Sequence, residues 1–212
     1  MEVAILIFDG VTALDAIGPY EVLSRLPGTE VVHVATEPGT FRDSQRSLAL
    51  VAERGIDDVT APDVVVVPGG PGEVDIRHDP RVLTWLREVH ETTTWTTSVG
   101  TGSLILAAAG LLEGVYATSH WLALDELTRL GAFAVPDRVV VDGKFVSGAG
   151  VSAGIDMALS LAALAEGELV AQGIQLSIEY DPQPPFDAGS PTSAPPVVVE
   201  LERAKSRFAR TT

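Results

Sequence analysis

The sequence of 212 residues contains no cysteine, and this absence removes several kinds of chemistry at once. A chain without thiols forms no disulfide, has no thiolate nucleophile and binds no metal through sulfur. Basic residues are scarce as well, since 14 Lys and Arg stand against 29 Asp and Glu, which gives a net charge of −15. Because nucleic acids and anionic membranes are bound by clustered positive charge, we expect neither as a partner.

Signals for targeting and for cofactors are also missing. The chain begins Met1-Glu2-Val3 with no basic segment, and its first apolar run breaks at Asp9-Gly10, which is too short to cross a bilayer. The turn Gly100-x-Gly102 is not a dinucleotide fingerprint, because Ile105 occupies the third glycine position. The four histidines have no metal-binding spacing. We therefore expect a cytoplasmic protein with no cofactor and no metal.

What the sequence does contain is an alternation of strand-like and helix-like segments, which predicts an α/β fold with a mostly parallel sheet. Val3–Phe8, Val64–Val67 and Thr94–Val99 are apolar or β-prone runs closed by glycine or a short polar turn. Such runs are typical of parallel strands buried on both faces, and we expect these three to be parallel neighbours.

We expect one domain over residues 1–212, because the length suits a single core and no composition break divides the chain. Residues 181–196 are rich in proline and predict an irregular surface loop, with Phe186 packed on the surface beneath it. A closing helix is expected over 197–210.

The segment from Thr96 to Ser103 predicts a tight turn from a strand into a helix, with Gly100 at its apex. Nucleophiles are often found at such an apex, because the turn holds the residue in strained backbone geometry and exposes its side chain. Gly100 has no side chain to react. It either relieves strain at an ordinary turn or marks a catalytic elbow whose nucleophile is missing.

Three further features each allow two interpretations. Asp15 lies among apolar residues after the first strand. It is either a helix-capping acid or a buried carboxylate that has a partner or a raised pKa. Gly69 and Gly70 follow a buried strand. They either form a plain loop or donate their amide N–H groups to a bound anion. His120 stands alone near a strand end, as a structural or a catalytic residue.

Six motifs in order resemble the isocyanide (isonitrile) hydratase branch of the DJ-1/PfpI superfamily, over about residues 3 to 200. The motifs are Leu14-Asp15-x-x-Gly18-Pro19, Pro68-Gly69-Gly70, Thr97-Ser98-Val99-Gly100-Thr101-Gly102-Ser103, Thr118-Ser119-His120-Trp121, Ser152-Ala153-Gly154-Ile155-Asp156 and Pro184-Pro185-Phe186-x-Ala188-Gly189-Ser190-Pro191. The resemblance implies a flavodoxin-like three-layer sandwich. It also implies a homodimer, with partner surface near Asp15 to Leu23, and a small-molecule substrate or ligand.

The resemblance also implies residue roles, with one departure. The family pattern has a nucleophilic cysteine at the elbow, where this chain has Gly100. By the same resemblance Asp15, Thr101 and His120 are the catalytic candidates. The substrate-binding candidates are Gly69, Gly70, Gly100, Gly102 and Trp121.

Two functions follow from these observations. The chain is either an enzyme in which Asp15 serves as general acid/base for a hydration, elimination or cyclisation, or a non-catalytic dimer that binds a small ligand or serves a regulatory role. Thiolate attack on an isocyanide carbon is unavailable to it, because no elbow side chain replaces the cysteine. Protease and deglycase activities also rest on the thiol and are disfavoured for the same reason.

Overall fold

A seven-stranded sheet forms the centre of the molecule in the computed structural model, which describes residues 1–210. The strands of the chain are β1 (Glu2–Leu6), β2 (Glu30–Ala35), β3 (Gly39–Arg42), β4 (Ala49–Ala52), β5 (Arg54–Gly55), β6 (Val64–Val67), β7 (Trp95–Val99), β8 (Tyr116–Ala117), β9 (Phe133–Ala134), β10 (Val139–Asp142) and β11 (Phe145–Gly148). The central sheet has the order β10-β11-β7-β6-β1-β2-β5, and only its β10–β11 pair is antiparallel.

Helices cover both faces of this sheet. They are α1 (Ala13–Leu23), α2 (Glu73–Ile76), α3 (Pro80–Thr92), α4 (Gly102–Ala108), α5 (Leu124–Arg129), α6 (Ala153–Glu166), α7 (Glu168–Ser177) and α8 (Pro196–Lys205), with 3-10 turns at Ile56–Asp58, Trp121–Ala123 and Arg207–Arg210. Within residues 1–210, every helix is too short or too polar to cross a membrane.

The three strands predicted as parallel neighbours are confirmed as such. β6 lies between β1 and β7, and Val66 is in register with Ile5 on one side and Thr97 on the other. β1 ends at Leu6, earlier than the apolar run does, although Ile7 and Phe8 remain buried. The fold is the expected three-layer α/β sandwich with a mostly parallel sheet.

Successive residues of the inner strands feed two separate cores, which is why their sequences are apolar throughout. Val3 and Ile5 of β1 pack with α1, α6 and α7 on one face of the sheet. Ala4 and Leu6 pack with α3, α4 and α5 on the other face. The helices that follow β1 and β6 therefore lie on opposite faces.

Four local expectations were wrong. The Gly18-Pro19 pair predicts a kink or a restart in the first helix, but α1 runs through Pro19 without interruption, and a Cβ on Gly154 of α6 would lie 3.3 Å from the Pro19 ring. The apolar runs at 132–135 and 139–141 predict two strands that pair with each other, but β9 pairs with β8 and β10 pairs with β11. Phe186 is 78% exposed rather than packed, and the closing helix ends at Lys205.

Gly102 at the start of α4 gives a test of how closely helix and strand approach. A Cβ at this position would overlap the Val67 carbonyl oxygen at the end of β6, and backbone cannot yield as a flexible side chain does. We expect Gly102→Ala to lower the free energy of unfolding by roughly 1–3 kcal/mol or more, measured by chemical denaturation.

The matched control is Gly173→Ala in α7, where an added Cβ meets no atom within 4 Å. Because alanine favours a helix interior over glycine by about 0.5–1 kcal/mol, this variant should be as stable as the wild type or more so. Equal stability of both variants would contradict the proposed close approach at Gly102.

Candidate active site

A crevice opens at the carboxyl end of the sheet, between the loops that follow β1 and β6. These neighbouring strands lead to helices on opposite faces, so their loops separate at this point. Open α/β sheets bind ligands where the chain direction divides in this way. Asp15 comes from the β1 side and Gly69 from the β6 side, while the elbow at Gly100 closes the crevice from β7.

Asp15 is the buried acid of this crevice. Its residue is 2% exposed, and its Oδ2 accepts a hydrogen bond of 3.0 Å from the Gly69 N–H. Its Oδ1 is buried and has no hydrogen-bond partner within residues 1–210. Thr12, which precedes α1, makes no side-chain cap. The interpretation of Asp15 as a buried acid is therefore the one the structure supports.

Burial raises the pKa of Asp15 from an ordinary 3.8 to about 7, and the Gly69 amide lowers it by a smaller amount. Desolvation outweighs the amide because removal from water penalises the charged form most strongly. An acid with a pKa near 7 is present in both protonation states at neutral pH. It can therefore give and take a proton within one reaction cycle.

The elbow places Gly100 directly over this acid. Gly100 has a φ of +55°, a region that favours glycine, and its N–H donates to the Gly148 carbonyl at 2.9 Å. The hydroxyls of Ser103 and Ser119 both donate to its carbonyl at 3.0 Å, which fixes the turn from the other side. A Cβ on Gly100 would lie 2.9 Å from Asp15 Oδ2. A nucleophile at this position would thus contact the acid.

The backbone donors around the elbow are arranged differently from the expectation. The Gly69 N–H is already bonded to Asp15, and the Gly70 N–H donates to Thr101 Oγ1 at 3.0 Å. Both amides therefore hold protein groups in place. In the described part of the chain, the N–H groups of Thr101 and Gly102 at the start of α4 have no backbone acceptor.

His120 lies beside this group and is neutral at pH 7, because burial lowers its pKa. Its Nδ1 accepts a hydrogen bond of 3.3 Å from the Leu122 N–H, so the proton is assigned to Nε2. A neutral imidazole with Nε2–H is a hydrogen-bond donor.

Two adjoining cavities are formed here. The inner cavity, of about 400 Å³, brings together five of the predicted residues: Asp15, Gly70, Gly100, Thr101 and His120. The outer cavity, of about 580 Å³, is lined by Trp121 and shares His120, Gly150 and Val151 with the inner one.

Two predicted substrate-binding residues line neither cavity. Gly69 acts through its hydrogen bond to Asp15. Gly102 packs against Val67, where a side chain would not fit.

The C-terminal cover of the inner cavity is not apparent from the sequence. Lys205, Ser206, Arg207 and Phe208 line it. Arg207 forms an ion pair with the fully buried Glu73 and donates to the Pro71 carbonyl at 3.1 Å. Only the i,i+4 pair of Glu73 with Arg77 was visible in the sequence, and nothing there links Glu73 to a residue 134 positions away.

Comparison with known proteins agrees with this architecture. Residues 1–164 match the model of the DJ-1/PfpI family. The chain is 43% identical to an isonitrile hydratase from Pseudomonas putida, over 97% of this chain and 90% of that protein. A crystal structure of a ThiJ/PfpI family protein from Pseudomonas syringae superposes with a TM-score of 0.93 at 36% identity, covering 98% of this chain and 88% of the other.

A more distant similarity joins the chain to a different kind of protein. It is 35% identical to the HTH-type transcriptional regulator CdhR of Pseudomonas aeruginosa, over 48% of this chain and 30% of the regulator. The fold, the full-length similarity to an isonitrile hydratase and the family match together show that the chain belongs to the DJ-1/PfpI family, with glycine at the elbow and no cysteine anywhere.

Proposed function

We propose that this protein is a hydratase-like enzyme that works without a thiol: Asp15 acts as general acid/base in the addition of water to a small unsaturated organic molecule. The observation that carries the proposal is Asp15 itself, a buried acid with a pKa near 7 and an unpartnered oxygen, beneath an elbow that has no side chain. The full-length similarity to an isonitrile hydratase supports hydration as the reaction class.

Gly100 leaves room where a nucleophile would stand, and a water molecule or substrate atom fits there within reach of Asp15. Asp15 Oδ2 lies nearest this space and already accepts one hydrogen bond from Gly69. A polar ligand atom placed there can form a second hydrogen bond with Oδ2, and hydrogen bonds to a charged group are the stronger kind.

The proton transfers can be written for an isonitrile. Protonated Asp15 gives its proton to the isonitrile carbon, and the oxygen of water bonds to the same carbon. The water then returns one proton to the carboxylate. A shift of the remaining hydroxyl proton to nitrogen gives the N-substituted formamide. One water is consumed, Asp15 ends as it began, and no covalent enzyme intermediate forms.

The neighbouring groups hold this acid and its substrate in place. The Gly69 N–H fixes Oδ2, the carboxyl oxygen nearest the space over Gly100 and the one placed to exchange the proton. The Thr101 hydroxyl is held by the Gly70 amide on the cavity wall. Neutral His120 lines both cavities and offers its Nε2–H to an acceptor atom of the substrate.

The direct test is Asp15→Asn, assayed as formation of N-substituted formamides from alkyl and aryl isonitriles. Asparagine keeps the shape but cannot transfer the proton, so kcat should fall by roughly 10²–10⁴ while the circular dichroism spectrum stays that of the wild type. In the wild type, kcat/KM should titrate with a pKa near 7.

The exposed Asp187→Asn is the control and should retain full activity. Full turnover in a folded Asp15→Asn variant would eliminate the acid/base role. Tight binding of isonitriles with no turnover at any pH would instead favour the non-catalytic, ligand-binding function, for which the similarity to CdhR is the available support.

The raised pKa of Asp15 also predicts how stability depends on pH. The folded protein binds this proton more tightly than the unfolded chain, in which the carboxyl titrates near 3.8. Stability from this group is therefore present at low pH and is lost as pH rises from about 4 to about 7, by on the order of 4 kcal/mol in total.

Asp15→Asn should remove this loss, so the variant should gain stability relative to the wild type between pH 5 and pH 8 in urea denaturation. Asp187→Asn should follow the wild-type curve. Parallel curves for Asp15→Asn and the wild type would contradict the raised pKa.

Gly100→Cys tests whether the elbow still accepts a nucleophile. The Cβ would lie 2.9 Å from Asp15 Oδ2 at a φ of +55°, so we expect a loss of about 1–2 kcal/mol in stability and a thiol in contact with the acid. Isonitrile hydration should become faster than in the wild type, and iodoacetamide should block the gain.

Gly143→Cys is the matched control, since Gly143 has a φ of +58° in the β10–β11 turn and open space around it. It should be alkylated without gaining activity. Equal rates for Gly100→Cys and the wild type would show that the elbow no longer positions a nucleophile.

A further inference from the structure

The outer cavity has a composition that the proposed chemistry at Asp15 does not explain. Leu14, Trp121, Leu124 and Val151 give it an apolar wall. Two cationic side chains, Arg138 and Arg203, also line it, whereas no carboxylate does among the described residues. The chain has 29 acidic and 14 basic residues, so the positive charge of this lining is opposite in sign to the net charge of the chain.

The two arginines differ in their partners. Arg138 is held by Asp156, with its Nη2 2.6 Å from Asp156 Oδ2. The guanidinium of Arg203, on α8, makes no ion pair and no hydrogen bond within residues 1–210, and it lies 5.7 Å from the centre of the Trp121 ring. The charge of Arg203 is therefore uncompensated and is held at an aromatic wall.

The inner cavity continues this pattern. Lys205 and Arg207 line it, and Asp15 is its one acidic residue among those described. The carboxylates that pair with these two cations, Glu202 and Glu73, do not line either cavity. Lys205 and Arg207 are thus paired with carboxylates outside the cavities, which leaves Arg203 as the lining cation without an ion pair among the described residues.

We propose that the substrate is an apolar carboxylate that spans both cavities, with its unsaturated group at Asp15, its apolar body against Trp121 and its carboxylate on Arg203. The inference rests on the proposed function for the position of the reactive group. The shared residues His120, Gly150 and Val151 form the passage between the two ends.

A carboxylate fits these observations better than a neutral or cationic group. The planar guanidinium of Arg203 can donate two parallel hydrogen bonds to a carboxylate, and such charge-assisted bonds are about twice as strong as neutral ones. An amine would meet the guanidinium of Arg203, which has no ion pair among the described residues, and that of Arg138, which Asp156 already neutralises. Apolar clefts with a few placed polar groups are the usual form of small-molecule sites.

The test measures binding, so that it is independent of turnover. The probes are 3-phenylpropanoate, its neutral amide 3-phenylpropanamide and the cation 3-phenylpropylamine, titrated by calorimetry. The wild type should bind the carboxylate at least tenfold more tightly than the amide, and the amine most weakly. The indole N–H signal of Trp121, assigned with Trp121→Phe, should shift on addition of the carboxylate.

Arg203→Gln should abolish the preference for the carboxylate while leaving amide binding unchanged, and Arg203→Lys should retain part of it. Arg25→Gln makes the same change in net charge at an exposed position outside both cavities. It should bind all three probes as the wild type does, which separates direct contact from the general field.

Three results would overturn the inference: equal affinity of the wild type for carboxylate and amide, an equal loss of both in Arg203→Gln, or carboxylate binding that leaves the Trp121 signal unmoved. None of these bears on the Asp15→Asn assay. If Asp15→Asn kept full activity while the wild type still bound the carboxylate, the acid/base role of Asp15 would be eliminated and the proposed class of ligand would stand.

Discussion

The site depends on the hydrogen bond by which the Gly69 N–H holds Asp15 Oδ2 across the crevice. It joins the loop after β6 to the helix after β1, at the point where the two strands send the chain to opposite faces of the sheet. A second bond, from the Gly70 N–H to Thr101 Oγ1, joins the β6 loop to the elbow. Side chains at Gly69 or Gly70 would collide with backbone in this arrangement, so the approach of the three loops requires glycine there.

Two buried acids of this region show how environment separates structure from chemistry. Burial raises the pKa of both Glu73 and Asp15. Glu73 has Arg207 and Arg77 beside it, whose charges oppose the effect and make it an anchor for the C-terminal segment. Asp15 has a single amide, and one of its oxygens has no partner in the described chain. The acid left without compensation is the one suited to proton transfer.

The C-terminal segment lies against the surroundings of both acids. Through Arg207 it is fixed to Glu73, and through Lys205, Arg207 and Phe208 it covers the cavity above Asp15. α8 also brings Arg203 to the aromatic wall of the outer cavity. The chain as a whole has a net charge of −15, whereas its C-terminal segment contributes basic residues, Arg203, Lys205 and Arg207, to the lining of the two cavities.

By itself the sequence determined the fold class, the three parallel neighbours β1, β6 and β7, the glycine elbow and the absence of a thiol, because apolar runs and glycine turns are local signals. It also pointed to Asp15, Thr101 and His120 through motifs that lie far apart along the chain. Only the tertiary structure decided that Asp15 is buried with a pKa near 7 and that Glu73 pairs with Arg207. It also decided that the N–H groups of Gly69 and Gly70 donate to side chains of the protein. Each of these depends on desolvation or on contact between residues distant in sequence, and neither leaves a periodic trace in the chain.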